Sequence, residues 1–174
     1  MAALKTNNGM LTFANIVLIL AATTTALSAG LFYSWSCSVM PGLARVSDTS
    51  FVESMQAMNR AILNPVFFAS FMGAAILLLL SLYLQYHQPI STRWWFLLAA
   101  TIIYLAGVLG VTMAGNVPLN DALDKFPLSA SAEEYAAQRK AFEETWVRLN
   151  TIRSFAGLFS IVLVIIACLS HSEK

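Results

Sequence analysis

The chain has 174 residues, 58% of them hydrophobic and only 11% charged, where a soluble domain carries roughly a quarter charged residues. That composition excludes a water-soluble globule, and apolar residues this abundant exclude a disordered chain. Ten basic and nine acidic residues leave a net charge of +1 with no run of one sign, so nucleic acid is not an expected partner.

No Asp, Glu, Lys or Arg lies between Lys5 and Arg45. The stretch 11–40 can therefore cross a hydrocarbon core of roughly 30 Å at about 1.5 Å per residue. Lys5 and the small residues at 26–30 imitate a cleavable leader, but the uncharged run continues past Gly30, so the span is expected to be retained. Thr23, Thr24 and Thr25 sit at mid-span, where their hydroxyls can bond carbonyls four residues back. Pro41 is expected to end the span. Next, Ser50-Phe51-Val52-Glu53 has the form of a helix-capping box. Phe51, Met55, Met58 and Ile62 recur at helical spacing after it, which predicts a short amphipathic helix against the bundle with Gln56, Asn59 and Arg60 nearby. Asn64-Pro65 should interrupt it, because a residue before proline avoids the α region.

Span two covers 61–84 and span three 94–114. The connection between them is brief and carries His87 and Pro89. Ala26 and Gly30, Ala69 and Gly73, and Ala106, Gly110 and Ala114 supply the small-residue spacing of close helix packing in lipid. Span three runs into Thr112 and then Asn116-Val117-Pro118-Leu119-Asn120, where Pro118 should break the ladder. Asn116 and Asn120 then either satisfy the freed backbone or bind a ligand.

Ser131-Ala132-Glu133-Glu134 is a second capping box, and no proline follows it. A helix from 132 through a fourth span at 154–170 would cover about 39 residues and roughly 58 Å, so it should project well beyond the membrane. Tyr135, Phe142 and Leu149 repeat every seven residues, and Glu144 and Arg148 are spaced to pair on the wet face. Trp146, Asn150 and Arg153 form another stripe, which enters the membrane interface. Trp146 and Arg153 read either as interfacial anchors or, with Asn150, as an inward polar site.

The whole chain, 1–174, thus reads as one all-α transmembrane four-helix bundle, integral and multi-pass, with both termini on one side. The opposite end holds seven of the ten basic and eight of the nine acidic residues. Counting Lys and Arg places that end in the cytoplasm. Cys37 and Cys168 fall a bilayer thickness apart, too far for a disulfide. His87 and His171, the only histidines, share the termini side but lack the ligand spacing and supporting partners of a haem or metal site, so no cofactor is expected.

Several of these segments resemble the anthrone oxygenase-like family of four-span membrane proteins. The matching pieces are Phe32 with Ser34 and Val39-Met40-Pro41; Met55-Gln56 with Asn59; Asn64-Pro65 with Phe67; Thr112 with Asn116-Val117-Pro118-Leu119-Asn120; and Trp146 with Asn150 and Arg153. The likeness runs from about Gly30 to Phe159. It implies a monooxygenase that oxidises an anthrone to an anthraquinone, with molecular oxygen as co-substrate and no evident cofactor. Such an oxidoreductase needs a base, donors for the developing oxyanion and an apolar chamber. On this reading Asn116, Asn150 and Arg153 are catalytic, and Trp146, Asn120, Asn59, Gln56 and Thr112 bind substrate. Asp121 is the carboxylate nearest the motif. The expected partners are a lipophilic small molecule and the lipid bilayer; self-association as a homo-oligomer stays open. The competing readings are a small-molecule binding or transport protein and a structural tetraspan subunit of a membrane complex.

Overall fold

The computed structural model describes residues 12–170, which form helices and connecting turns without a strand. The first helical rod consists of α1 (Phe13–Ser34), a π-helical turn at Trp35–Val39 and α2 (Met40–Leu43). A short helix, α3 (Asp48–Ala61), leads to the second rod, α4 (Pro65–Leu84). The third rod runs from α5 (Thr92–Ile103) through π-helical segments at Tyr104–Gly110 and Thr112–Asn116 into α6 (Val117–Asp124). The fourth, α7 (Ala132–Leu169), is unbroken over 38 residues. All four rods are long and apolar enough to span a membrane. Their outward faces expose Ile19, Leu27, Ile76, Leu79, Ile102, Phe155 and Ile165, a surface that suits hydrocarbon and not water. The chain is an integral, multi-pass membrane protein. Leu11, the first residue of the predicted first span, Lys5 and His171 lie outside the described residues; His87 is exposed.

Within the membrane the bundle is held by apolar packing and a few bonds between helices, as expected where lipid competes for apolar contact. The Tyr104 hydroxyl donates to the Phe71 carbonyl at 2.9 Å and lies in hydrogen-bond contact with the Ser28 hydroxyl at 3.1 Å, tying three rods together. Ser160 Oγ donates to the Ala100 carbonyl at 3.0 Å. Thr23 and Thr24 bond back to Ile19 and Leu20, as their positions predict. Cys37 and Cys168 are free thiols.

The prolines depart from expectation. Neither Pro41 nor Pro118 ends its rod. In each case the residue just before the proline, Met40 or Val117, donates its N–H to a carbonyl five residues back, that of Trp35 or Thr112. The wide turn absorbs the pyrrolidine ring, and the rod continues with proline in the first turn of the next α segment. Asn64-Pro65 does interrupt the chain. There Asn64 is extended and its Oδ1 accepts from the N–H groups of Val66 and Phe67, capping α4.

The small residues that meet are not those of the sequence stripes. A Cβ added at Gly30 would touch nothing, and one at Gly73 would make only ordinary contact with Thr24. The close approaches are instead Gly107 against Ala156 and Gly157 against Ala29. In the third rod the π-helical segments rotate successive positions off the i, i+4 stripe, so Ala106, Gly110 and Ala114 do not stay on one face. Gly30 and Gly73 lie in regular α-helix, and the structure gives their stripes no close contact.

At the end bearing α3 and α6, Met40, Phe51, Met55, Leu123, Tyr135, Phe142 and Trp146 form a second core. α3 begins three residues before the predicted box: Ser47 is the cap, accepting from the Ser50 N–H at 3.2 Å, and Asp48 favours the positive end of the helix. The Ser131–Glu134 box forms as predicted. Arg139 fastens this end together, donating to the carbonyls of Ala44 and Val46 and pairing with Asp48 at 3.0 Å and Glu143 at 2.7 Å. The i, i+4 ion pair on the projecting part of α7 is therefore Arg139–Glu143, in place of the predicted Glu144–Arg148.

Candidate functional site

Where α7 crosses the π-turns of the first and third rods, polar side chains turn inward. Arg153 is only 5% exposed. Its Nη2–H donates to Asn150 Oδ1 at 2.9 Å and its Nη1–H to Thr112 Oγ1 at 3.4 Å, while Nε–H has no partner. The guanidinium lies 4.4 Å from the centre of the Phe32 ring and 5.4 Å from that of Trp146, a cation held between aromatic faces. Asn150 spends its own amide on the Phe32 carbonyl at 3.1 Å and Ser36 Oγ at 2.9 Å.

Asn116 is 1% exposed, and neither its amide nitrogen nor its oxygen has a partner. A buried carboxamide left this way costs free energy, on the order of 1–3 kcal/mol per unsatisfied group. Asn59 Nδ2 is likewise unpartnered. These groups border a chamber of about 80 Å³, whose other walls include Phe32, Trp35, Phe67, Thr112, Asn120 and Trp146. Asn59, Ile62, Leu63, Val117 and Asn120 also line an outer cleft of about 150 Å³, with Arg60, Asp121 and Asp124 at its rim. Chamber and cleft therefore adjoin, opening between the end of α3 and α6. Arg60 and Asp124 form an ion pair at 2.6 Å across that rim.

Most of the residues expected at the site do meet there: Arg153, Asn116, Asn120, Asn59, Thr112 and Trp146 all line the chamber. Asn150 stands behind Arg153 and bonds it. Trp146 is fixed in place, with Nε1–H on Asn120 Oδ1 at 3.0 Å and its ring against Trp35 and Phe142. Gln56 is elsewhere. Its Nε2 donates to the carbonyls of Leu123 and Phe126 at 2.8 and 2.9 Å, binding α3 to the end of α6. Gln56→Met should therefore leave two carbonyls unpaired and cost about 1–3 kcal/mol, seen as a lower unfolding midpoint, while the chamber's chemistry is little altered.

Trp35 and Ser36 were not singled out by sequence reasoning, since both sit in the middle of an uncharged run. Only the π-turn before Pro41 brings them to the chamber and to Asn150. A larger groove of about 520 Å³ lies between α1 and α7 beside Ser36 and Ser154. Its polar side chains are hydroxyls and no charged group lines it, whereas the smaller chamber is lined by a guanidinium and three carboxamides.

A four-span membrane bundle with a guanidinium and carboxamides gathered at one end of an apolar interior is the class of protein that fold and site define. The sequence profile of the anthrone oxygenase family matches residues 64–163, more than half the chain, and the chain belongs to that family. The match begins at the Asn64 cap and extends past Arg153, so it takes in the third rod and all of α7 that borders the site. No curated protein and no solved structure gives a match.

Proposed function

We propose that the protein oxidises a lipophilic, electron-rich ring ketone of the anthrone type to the corresponding quinone with molecular oxygen. The observation that carries this reading is the buried Arg153 guanidinium beside an unpartnered Asn116, an arrangement suited to an oxygen atom that gains negative charge. An anthrone loses a benzylic proton to give an aromatic oxyanion. That oxyanion passes one electron to dioxygen, the two radicals combine at the benzylic carbon, and the resulting peroxide loses water. Overall, ketone plus dioxygen gives quinone plus water.

Each residue has a part in this scheme. Arg153 Nε–H and the Asn116 amide receive the oxyanion, Thr112 and Asn150 hold the guanidinium in place, and Asn120 fixes Trp146 as a wall. The chamber alone is far below the roughly 300–1,000 Å³ of pockets for drug-sized ligands. The oxygen-bearing edge of the substrate therefore enters the chamber and its rings lie in the outer cleft, reached from the bilayer. Asp121 lines that cleft and, with Asp124 paired to Arg60, is the carboxylate to which the scheme gives the benzylic proton.

The test is oxygen uptake by the purified protein with a panel of anthrones. Asp121→Asn should lower kcat by about 10²- to 10⁴-fold, the range of general base catalysis, with KM little changed. Equal rates for the variant and the parent would remove Asp121 from the scheme, and no uptake above the spontaneous rate with any anthrone would remove the reaction.

A further inference from the structure

Arg153 differs from the other described arginines that bond side chains or carbonyls. Arg60 pairs with Asp124, and Arg139 with Asp48 and Glu143. Arg93 donates to the carbonyls of Ala167 and Ser170 that end α7. Arg153 is the more deeply buried, yet its two acceptors are neutral, Thr112 Oγ1 and Asn150 Oδ1. Among the described residues no carboxylate lines its chamber. A buried charge without a counter-charge carries a penalty of several kcal/mol, and a guanidinium does not escape it by losing a proton. At the same chamber Arg153 Nε–H, the Asn116 Nδ2 amide and Asn59 Nδ2 are donors without acceptors, and Asn116 Oδ1 is an acceptor without a donor, open to the water that accompanies an anion. One positive charge, three free donor groups and no acid describe a receptor for a single negative charge.

We propose that the chamber is a binding site for a small monovalent anion, held by Arg153 with Asn116 and Asn59, and that the anion gives way to the oxyanion of the substrate. The second half rests on the oxidation proposed above; the first does not. A space of about 80 Å³ admits a halide or nitrate with a water molecule, each water taking roughly 30 Å³, and is too small to hold gluconate whole, so gluconate serves as the weakly held reference anion. The single guanidinium sets the charge at one. Arg153 keeps its hold on Asn150 and Thr112 through Nη2 and Nη1 and has Nε–H left to donate to the guest.

The experiment uses the full chain in detergent and iodide as the probe, with gluconate holding the ionic strength constant. Iodide quenches indole emission on contact, and both Trp35 and Trp146 line the chamber. The parent should show a saturable quenching component above the linear background from the exposed indoles. Arg153→Lys should keep that component at higher iodide. Arg153→Met should lose it, and Asn116→Leu should raise the half-saturation point by about tenfold or more, the scale of one lost bond to a charged group. Linear quenching with the same slope in the parent and in Arg153→Met overturns the site.

Thermal unfolding of the parent provides a second reading that needs no variant. Nitrate or bromide in place of gluconate should raise the midpoint, and an unchanged midpoint counts against the site even if Arg153→Met fails to fold. In the oxidation assay, halide should raise KM and leave kcat unchanged. Saturable quenching in a protein that oxidises no anthrone would keep the anion site and discard the reaction. Oxidation with linear quenching and a halide-insensitive KM would do the reverse.

Discussion

Arg153→Met is expected to lower kcat/KM for anthrone oxidation by about 10²- to 10³-fold, the effect of removing one oxyanion donor, while leaving the unfolding midpoint unchanged or raised. The two halves of that result have separate causes. The rate falls because the oxyanion loses the positive charge that Asn150 and Thr112 hold in place. Stability holds because methionine fills the space between Phe32 and Trp146 without a charge to desolvate, and replacing a buried ion by an apolar side chain is often neutral or stabilising. Thr112 keeps its bond to the Val108 carbonyl and Asn150 its donor bonds to Phe32 and Ser36. Asn150 Oδ1 loses its donor, at about 1–3 kcal/mol, which is less than the several kcal/mol of desolvation penalty that leaves with the guanidinium. A structural Arg153 would give the opposite pattern: a falling midpoint with activity lost only in proportion to unfolded protein. Oxygen uptake and a thermal scan on the same preparation separate the two.

Much of this organisation can be read from residue order because charge and proline act locally. Gaps between charged residues locate the four spans, since each must exclude charge over its whole length. The stripe of Trp146, Asn150 and Arg153 is legible because α7 is unbroken and its 3.6-residue period holds from Ser131 onward. Asn116 and Asn120 stand out as polar residues beside a proline. Where the period changes, legibility ends. The π-turns that carry Pro41 and Pro118 without a break have no composition of their own, so Trp35 and Ser36 could not be assigned to the chamber. The true contacts of Gly107 and Gly157 were equally hidden behind the regular spacing of Gly30, Gly73 and Gly110. Gln56 illustrates the remaining difficulty: a polar residue near a motif has the same signature in sequence whether it serves a ligand or a carbonyl, and only the position of the α6 end distinguishes them.

Gly107→Ala is expected to destabilise the bundle by about 1–3 kcal/mol as an overpacking substitution, and to reach the site as well. A Cβ at Gly107 would stand 2.6 Å from the Cβ of Ala156, a separation that real carbon atoms do not tolerate. The obstacle is a short side chain fixed to a helix backbone, so the third rod and α7 must move apart. Ala156 follows Arg153 by one helical turn, and the bond from Arg153 Nη1 to Thr112 Oγ1 is already 3.4 Å. Separation of the rods therefore weakens the link that aims the guanidinium, and a displacement near 1 Å at a reacting group costs on the order of a hundredfold in rate. Gly30→Ala is the control, since an added methyl there meets nothing, and it should leave midpoint and rate unchanged. Exchanging the pair, Gly107→Ala with Ala156→Gly, returns the methyl to the interface from the other side. Recovery of both midpoint and rate in that double variant, beyond the sum of the single effects, would locate the defect in this one contact. Failure to recover would mean that Gly107 matters to its own π segment instead.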